Sequence, residues 1–283
     1  MSTYVVGDIH GYFDEWIELK NKIESKDSNA RFILVGDIVD RGPKPIYMLE
    51  WCINNITSDG KYQMVIGNHE DEKITWMENY FNAKKKYSGL LEVNLDTVRP
   101  DRYNFVDNLK TSDIDDKTIR KYLNWMKSLD YYKEIRINNI RFIVVHANLP
   151  FMAFKNNTDD LLSSKELNLA TKNYIIWDRD TEGYYNSEDT ILVHGHTPTC
   201  LGDQLHYGAY PGRIRFTHHR INVDCGLAYR KHLNGIGNLG AIRLNDLSEI
   251  YLYDDMLDYT LIDTKSENNK SEMLDMVIKK QME

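Results

Sequence analysis

Residues 32–42 read Phe-Ile-Leu-Val-Gly-Asp-Ile-Val-Asp-Arg-Gly, and this stretch decides the fold. The run 32–35 is short and apolar, which is typical of a strand that is buried in a sheet. Gly36 closes the run, and Asp37, Asp40 and Arg41 follow it. Because ligands collect at the carboxyl ends of strands in open α/β sheets, the stretch predicts a polar site at one edge of a buried sheet.

The same arrangement recurs along the chain. Further apolar runs that end in glycine or histidine are 4–6, 64–66, 142–145 and 191–193. Between them, apolar residues recur at helical spacing, as in Phe13/Trp16/Ile17/Ile23, Ile46/Leu49/Ile53/Ile56 and Ile74/Met77/Phe81. This alternation predicts an α/β fold with a largely buried sheet. Nearer the C-terminus, residues 221–223, 241–244 and 250–253 predict strands, and 245–248 predicts a hairpin connection.

The composition excludes several classes of protein. Of the 283 residues 42% are apolar, which is enough for a normal core, and no apolar run approaches the roughly 18 residues of a membrane span. Residues 1–7 lack the pattern of a secretory signal, so we expect a cytoplasmic protein without a membrane partner. Cys52, Cys200 and Cys225 are widely spaced, which disfavours a disulfide framework and a cysteine zinc site. The net charge of −8 argues against a general grip on nucleic acid.

Side chains that can bind metal follow each predicted strand of the N-terminal two-thirds. They are Asp8, His10, Asp37, Asn68, His69, His146, His194 and His196. Taken alone, each of them is better explained as a loop residue or a helix cap, and Asp8 and Asn68 are candidates for caps. Together they mix carboxylate, imidazole and amide groups without thiolate, which suits Mn²⁺, Fe²⁺ or Zn²⁺. They exceed one tetrahedral shell, and this favours two ions that share a bridging carboxylate.

Three runs resemble the signature motifs of the phosphoprotein phosphatase (PPP) family of metallophosphoesterases, in the same order and spacing. They are Gly-Asp-Ile-His-Gly at 7–11, Gly-Asp-Ile-Val-Asp-Arg-Gly at 36–42 and Gly-Asn-His-Glu at 67–70. His146 and residues 195–197 resemble the remaining ligands of the family. The compact build is similar to the bacterial and phage-type serine/threonine protein phosphatases, and the symmetrical dinucleoside-tetraphosphatases share much of the pattern. The resemblance implies an α/β fold of the calcineurin-like metallophosphoesterase type, a sandwich of mixed sheets flanked by helices with a dinuclear metal site at the C-terminal ends of the strands.

The resemblance also implies the metal ligands, with Asp37 bridging the two ions. They are Asp8, His10, Asp37, Asn68, His146 and His196. Two divalent ions are implied, with Mn²⁺ expected and Fe or Zn as the alternatives. A hydroxide that bridges them would attack the phosphorus atom.

The remaining implied roles concern the phosphate and the leaving group. His69 would protonate the leaving oxygen as the general acid, and Asp40 would orient it. Arg41, Arg179 and Asn68 would bind the phosphoryl group, a task for which the planar guanidinium is well shaped.

Three residues bear on which branch of the PPP family the sequence resembles most. Asn148 stands where many members have glycine, and we expect it to be tolerated because asparagine accepts unusual backbone angles. Pro198 supplies no imidazole where diesterase relatives often have histidine, which shifts the prediction towards monoesters and away from nucleases. Asp40 favours the protein-phosphatase branch over the tetraphosphatase branch.

The sequence therefore leaves three functions in play. The first is hydrolysis of phosphoserine or phosphothreonine in proteins, and the second is hydrolysis of small phosphoanhydrides such as dinucleoside tetraphosphates. The third is a non-catalytic phosphate-binding relative, against which the intact set of site residues argues. The expected partner is accordingly a phosphoprotein or a small phosphoester, and the sequence leaves the oligomeric state open.

The domain organisation is predicted as a single catalytic domain over residues 1–263. Residues 82–132 are polar and partly helical, and we expect them to form a cap-like insertion beside the site. Residues 264–283 are predicted as a polar C-terminal tail, with a short docked helix as the open alternative.

Overall fold

The computed structural model describes residues 1–88, 93–95, 98, 103–155, 158–179, 189–201, 212–254 and 264–282. The strands are β1 (Thr3–Val6), β2 (Arg31–Leu34), β3 (Tyr62–Met64), β4 (Tyr132–Ile137), β5 (Ile140–Val145), β6 (Thr190–His194), β7 (Arg215–Thr217), β8 (Arg220–Asn222), β9 (Gly240–Arg243) and β10 (Ser248–Tyr251). The α-helices are α1 (Phe13–Glu24), α2 (Pro45–Asn55), α3 (Asn68–Lys86), α4 (Phe105–Thr111), α5 (Asp116–Lys127), α6 (Leu169–Trp177) and α7 (Thr264–Met282). Short 3-10 helices span Phe151–Ala153 and Leu227–Tyr229.

The strands form two five-stranded sheets. The order in the first sheet is β10-β9-β1-β2-β3, in which β1, β2 and β3 are parallel and β9 and β10 are antiparallel neighbours. The order in the second is β4-β5-β6-β8-β7, in which β5, β6 and β8 are parallel. The strands that carry the predicted site residues are therefore the parallel ones, whose carboxyl ends share one edge of each sheet.

The side chains of each strand alternate between two hydrophobic layers. Val5 and Ile33 of the first sheet are buried with Phe142 and Val144 of the second, so the two sheets enclose a common core. The intervening residues face outwards, where those of the first sheet pack in the helix-covered core that contains Trp16. This alternation is the period of two that a strand imposes, and it explains why both faces of the central strands are apolar. The predicted sandwich of mixed sheets flanked by helices is confirmed.

Two strands were not predicted from the sequence. β4 has residues that alternate between half-buried and exposed positions, and β7 has only three residues. Both lie at the edges of the second sheet, with a neighbouring strand on one side only. β4 is half-solvated and therefore needs fewer apolar residues, so its sequence pattern is weaker. β7 is too short to show a pattern, and its outer edge bonds to α7 through Ser266 and Asn269. The hairpin between β9 and β10 was predicted, and Ser248 pairs with Arg243 across it.

The region 82–132 contributes α4 and α5 and the end of α3. Phe105, Leu109 and Tyr122 are buried in the same helix-covered core as α1 and α2, so this region packs on the first sheet. Residues 89–92, 96–97 and 99–102, which fall in the predicted cap, lie outside the described residues. The boundaries of the cap stay a prediction.

The C-terminal residues form a docked helix rather than the predicted tail. Met273 and Val277 of α7 are 3% and 1% exposed and lie in the core between the sheets. The two residues are four positions apart and therefore lie on one face of the helix, and Met276 packs partly buried beside them. The division of the chain at residue 263 stays a prediction. No helix in the described ranges has the length and apolar character needed to cross a membrane.

Candidate metal centre and active site

The polar residues that follow the parallel strands converge between the carboxyl edges of the two sheets. Asp37 follows β2 and stands at the centre, with its carboxylate facing three imidazoles. Its Oδ2 is 3.7 Å from His10 Nε2 and 3.8 Å from His69 Nε2. Its Oδ1 is 3.4 Å from His146 Nε2, which belongs to the second sheet. One carboxylate thus faces groups from both sheets, which is the placement expected of a bridging ligand.

Asn68 connects the two imidazoles of the second sheet. Its side-chain oxygen is 2.8 Å from His146 Nε2 and 2.8 Å from His196 Nδ1. Asn68 is the first residue of α3, so its backbone is fixed by the helix while its side chain turns back towards the strands. Asp37, His146 and His196 form one group whose ligand atoms all lie within 4.8 Å of one another.

Each of the three imidazoles predicted to bind metal donates one ring N–H to a backbone carbonyl. His10 Nδ1 donates to Val39 O at 3.1 Å, and His146 Nδ1 donates to Val35 O at 2.7 Å. His196 has the reverse orientation, with Nε2 donating to Trp177 O at 3.2 Å. A proton fixed on one ring nitrogen leaves the other as a lone pair directed into the centre, which is the usual arrangement around metal-binding histidine.

Asp8 lies beside the centre but against the backbone of the second sheet. Its carboxylate accepts the backbone N–H of His196 at 3.2 Å and 3.3 Å from its two oxygens. Gly195 is necessary here, because a Cβ at that position would lie 2.1 Å from Asp8 Oδ1. Among the described residues, the second close group consists of His10, Asp37 and His69 and does not include Asp8. Asp8 as a metal ligand therefore stays a prediction.

The electrostatics of the centre fit a bound cation. Burial raises the pKa of Asp37 to about 8, and burial together with Asp224 and Asp37 raises that of Asp8 well above its usual range. Burial lowers the pKa of His146 to about 4 and those of His10 and His196 below their usual range, so these rings are neutral and can act as ligands. These buried carboxylates lie next to neutral imidazoles, and Arg41 supplies only part of the compensating positive charge, to which divalent cations would add. The donor set, oxygen and imidazole without thiolate, suits Mn²⁺, Fe²⁺ or Zn²⁺.

The predicted acid pair is present and fully buried. His69 Nδ1 lies 2.6 Å from Asp40 Oδ2, and the two side chains are 2% and 0% exposed. The same Asp40 oxygen is 2.9 Å from Lys73 Nζ. Asp40, His69 and Glu72 are also close enough to hold a metal ion, but the Lys73 ammonium already supplies the positive charge at Asp40. This third group is therefore better described as an ion-paired network than as a metal site.

Arg41 lies over the acid pair and between two tyrosine rings. Its Nη2 is 3.2 Å from His69 Nε2, and its Nη1 donates to Tyr229 Oη at 3.3 Å. The guanidinium carbon is 5.5 Å from the ring centroids of both Tyr103 and Tyr229. Two cation–π contacts hold the planar group at the mouth of the site, where an anionic phosphate can meet it.

Arg179 reaches the site from the second sheet. It follows α6 and is exposed, and its Nη1 lies 3.4 Å from His196 O and 3.3 Å from Thr197 Oγ1. These contacts place its guanidinium beside His196, one of the predicted metal ligands, and the role of Arg179 in binding phosphate stays a prediction. Its contacts are longer than those of an ideal hydrogen bond, in contrast to the buried pair at His69.

The backbone of the site is strained at its functional residues. His10, Asp37, Asp40, Arg41 and His196 all have positive φ angles between 50° and 68°. Left-handed backbone is costly for such residues and persists only where the surroundings enforce it, which is common at active sites. Part of that enforcement comes from Glu70. Its carboxylate accepts the backbone N–H groups of Asp37, Ile38 and Gly67 at 2.8, 2.9 and 3.0 Å.

Several neighbouring residues differ from what the sequence suggested. Asn148 does not have a positive φ; instead its side chain donates to Asp178 Oδ2 at 2.6 Å and accepts from Arg220 Nη1 at 2.9 Å. Its amide thus links the end of β5 to Asp178, which precedes Arg179. Asp224, which follows β8, accepts the backbone N–H of Gly226 at 3.0 Å.

Sequence reasoning missed Lys73, Glu70, Tyr103 and Tyr229 as site residues. Lys73 is four residues after His69 on α3, so helical spacing could have indicated that the two share a face. Glu70 was quoted within a motif but received no role. The tyrosines carry no local signal, because only the tertiary fold brings residues 103 and 229 to Arg41.

Comparisons with known proteins agree with this geometry. Residues 1–225 match the model of the family described as calcineurin-like phosphoesterase. The symmetrical bis(5'-nucleosyl)-tetraphosphatase of Neisseria meningitidis is 29% identical over 196 residues, and the match spans 65% of this chain and 61% of that relative. The asymmetrical bis(5'-nucleosyl)-tetraphosphatase PrpE of Oceanobacillus iheyensis is 24% identical over 255 residues, spanning 82% and 87%. Among solved structures, a serine/threonine phosphatase of Saccharomyces cerevisiae with similarity to human PP5 shares the fold with a TM-score of 0.52 at 14% identity, covering 92% of this chain and 81% of its own.

Proposed function

The chain belongs to the calcineurin-like phosphoesterase family, and we propose that it hydrolyses phosphate monoesters, with phosphoserine or phosphothreonine in proteins as the substrate class. The observation that supports this choice is the buried His69–Asp40 pair directly beneath Arg41. A serine or threonine ester departs as an alkoxide, which is strongly basic and needs a proton as the P–O bond breaks. A positioned general acid is therefore most valuable for this class of substrate.

The site residues would hold two divalent cations, for which Mn²⁺ is the expected ion. The proposed ligands are Asp8, His10, Asp37, Asn68, His146 and His196. When bound, such a pair of cations polarises the phosphoryl oxygens and lowers the pKa of coordinated water. Asp37 is the candidate to bridge them, because its carboxylate faces imidazoles of both sheets.

The protein's own groups bind the phosphate and move the proton. Arg41 and Arg179 flank the centre from opposite sheets, and both guanidinium groups would donate to phosphoryl oxygens, as would the Asn68 amide. Arg41 now donates to His69 Nε2. A bound phosphate would draw Arg41 towards itself, so that a protonated Nε2 could face the leaving oxygen. His69 Nδ1–H donates a hydrogen bond to Asp40, and this bond keeps the ring in its orientation.

A second candidate is hydrolysis of dinucleoside tetraphosphates, favoured by the names of the two curated relatives. The same metal centre and arginines would serve a phosphoanhydride. Its leaving group is a nucleotide phosphate, which is weakly basic and needs less protonation. The buried acid pair would then be less important, and this difference separates the two candidates.

A substrate panel tests the proposal directly. Purified protein with added Mn²⁺ would be offered an aryl phosphate, serine and threonine phosphopeptides, and a dinucleoside tetraphosphate. We expect hydrolysis of the aryl phosphate and the phosphopeptides, with the tetraphosphate slower. Hydrolysis of the tetraphosphate alone would favour the second candidate and contradict the first.

The role of His69 is tested by His69→Asn. We expect turnover of phosphopeptides to fall about a hundredfold, at the low end of what general acid catalysis supplies, while the bound metal is retained. Metal content measured on the same sample is the control. If the substitution removes the metal, His69 is a ligand, as its distance of 3.8 Å from Asp37 would then suggest.

A further inference from the structure

A buried lysine lies behind the acid pair, and the reaction described above does not use it. Lys73 is 1% exposed, and its Nζ lies 2.9 Å from Asp40 Oδ2. That oxygen is also the one that His69 Nδ1 approaches at 2.6 Å. We propose that Lys73 is a positioning residue for protonation of the leaving group, because it holds the Asp40 carboxylate where it can orient His69. The proposal rests on the proposed function of His69 as the general acid.

The arrangement of the backbone makes this anchor specific. Lys73 and His69 are four residues apart on α3 and share one face of the helix. Asp40 comes from the loop after β2 and has a φ of 67°, a backbone angle that the surroundings must enforce. The Lys73 ammonium ties the side chain of this strained residue to the helix that carries His69. Without it, a buried carboxylate would lose one of its donors and its fixed position.

The surroundings prevent water from taking the place of the ammonium. Asp40 is 0% exposed and His69 is 2% exposed. The ring of Tyr103 covers the network, with its centroid 4.7 Å from that of His69 and 5.5 Å from Lys73 Nζ. A lysine is costly to bury unless it is paired, so its presence beside a catalytic pair needs a reason. Positioning of Asp40 supplies one.

The proposal predicts an effect that depends on the leaving group. Lys73→Met keeps an unbranched side chain of similar length and removes the charge. We expect kcat/KM for alkyl phosphates and phosphoserine peptides to fall about tenfold or more, which is part of what a general acid contributes. For p-nitrophenyl phosphate, whose leaving group needs little protonation, the fall should be less than about threefold. The measurement is kcat/KM over a series of phosphate esters with leaving groups of rising basicity.

A double-substitution cycle tests whether Lys73 acts through Asp40. In an Asp40→Asn background, Lys73→Met should cause no further loss that is selective for poor leaving groups, because the two residues form one unit. Lys127→Met is the matched control. It removes an exposed lysine that pairs with Glu78 on α3, and we expect the same kcat/KM as the parent for every ester.

The outcomes separate this proposal from the proposed function. If Lys73→Met lowers kcat/KM equally for all esters while His69→Asn is selective for poor leaving groups, Lys73 has only a structural role and the proposal is overturned. If His69→Asn itself shows no such selectivity, the general acid role fails and the Lys73 proposal with it. Should the Met variant be insoluble, Lys73→Gln keeps an N–H donor. Lys73→Gln should also lower kcat/KM more for poor leaving groups than for good ones, but by a smaller factor. An equal loss of kcat/KM for all esters would overturn the proposal.

Discussion

The two sheets contribute to the site in different ways. The loops of the first sheet supply the buried His69–Asp40 pair, the central Asp37 and Arg41, and the last three of these residues have left-handed backbone. The second sheet supplies His146 and His196, each oriented by a backbone carbonyl, and the exposed Arg179. Under the proposed function, the groups that would move the proton come from the first sheet alone. The second sheet would complete the metal centre and add a second, more exposed phosphate contact.

The largest effect should come from the residue that joins the two halves. Asp37→Asn removes the charge that faces His10, His69 and His146 together. Loss of partners that only support a metal ligand costs about 10–100-fold, so loss of a bridging ligand should lower activity about a thousandfold or more. Metal content and turnover measured together provide the check. Full metal occupancy with near-normal turnover would show that Asp37 does not bridge.

A paired substitution of the two arginines sharpens the contrast between the sheets. A charge-assisted hydrogen bond is worth about 1.5–3 kcal/mol, so Arg41→Ala should raise KM or lower kcat/KM roughly tenfold to a hundredfold. Arg179→Ala should cost only severalfold, because its side chain is exposed and lacks the two tyrosine contacts of Arg41. Steady-state kinetics on one phosphopeptide measure both. A larger loss at Arg179 would reverse the comparison.

A smaller effect concerns the stability of metal-free protein. The pKa of Asp37 is raised to about 8 by burial, whereas an unfolded aspartate titrates near ~4. For a carboxyl with a raised folded-state pKa, folding is favoured at low pH and loses stability as pH rises through the folded value. Unfolded histidines titrate near pH ~6.5, so the site histidines are largely neutral in both states only above pH ~7.5. Between pH ~7.5 and ~8.5 chelator-treated protein should therefore lose about one to three degrees of melting temperature.

Added Mn²⁺ should abolish that loss, because the bound cations compensate the Asp37 and Asp8 charges. Thermal melts at several pH values, with chelator and with Mn²⁺, measure both arms. The Asp37→Asn variant is the control, since it cannot ionise at that position. A metal-free protein whose stability rises over the same pH range would contradict this electrostatic account of the centre.

The central fold could be predicted from the sequence because its signals are local. β1, β2, β3, β5 and β6 each lie at an apolar run that is closely followed by a predicted site residue, so strand and candidate residue are found together. The contact between Lys73 and Asp40 could not be predicted, because it depends on the direction of the Asp40 carboxylate in the folded protein. The role of Glu70 could not be predicted either, because its carboxylate accepts three backbone N–H groups and the sequence gives no sign of such contacts.

Other features depended on tertiary contacts between distant parts of the chain. Tyr103 and Tyr229 meet at Arg41 although they are far apart in sequence. Asn148 was expected to differ from glycine through its backbone, yet it acts through its side chain. Residues 89–92, 96–97 and 99–102 of the predicted cap lie outside the described residues, so the bearing of the cap on the substrate stays a prediction.

The most direct test of the account is a Mn²⁺ titration of chelator-stripped protein, with bound metal and hydrolysis of p-nitrophenyl phosphate followed on the same sample. We expect two equivalents of metal per chain, with activity that rises as they bind and is absent without them. If Mn²⁺, Fe²⁺ and Zn²⁺ all fail to restore hydrolysis of the aryl phosphate, the phosphopeptides and the dinucleoside tetraphosphate, the account is contradicted.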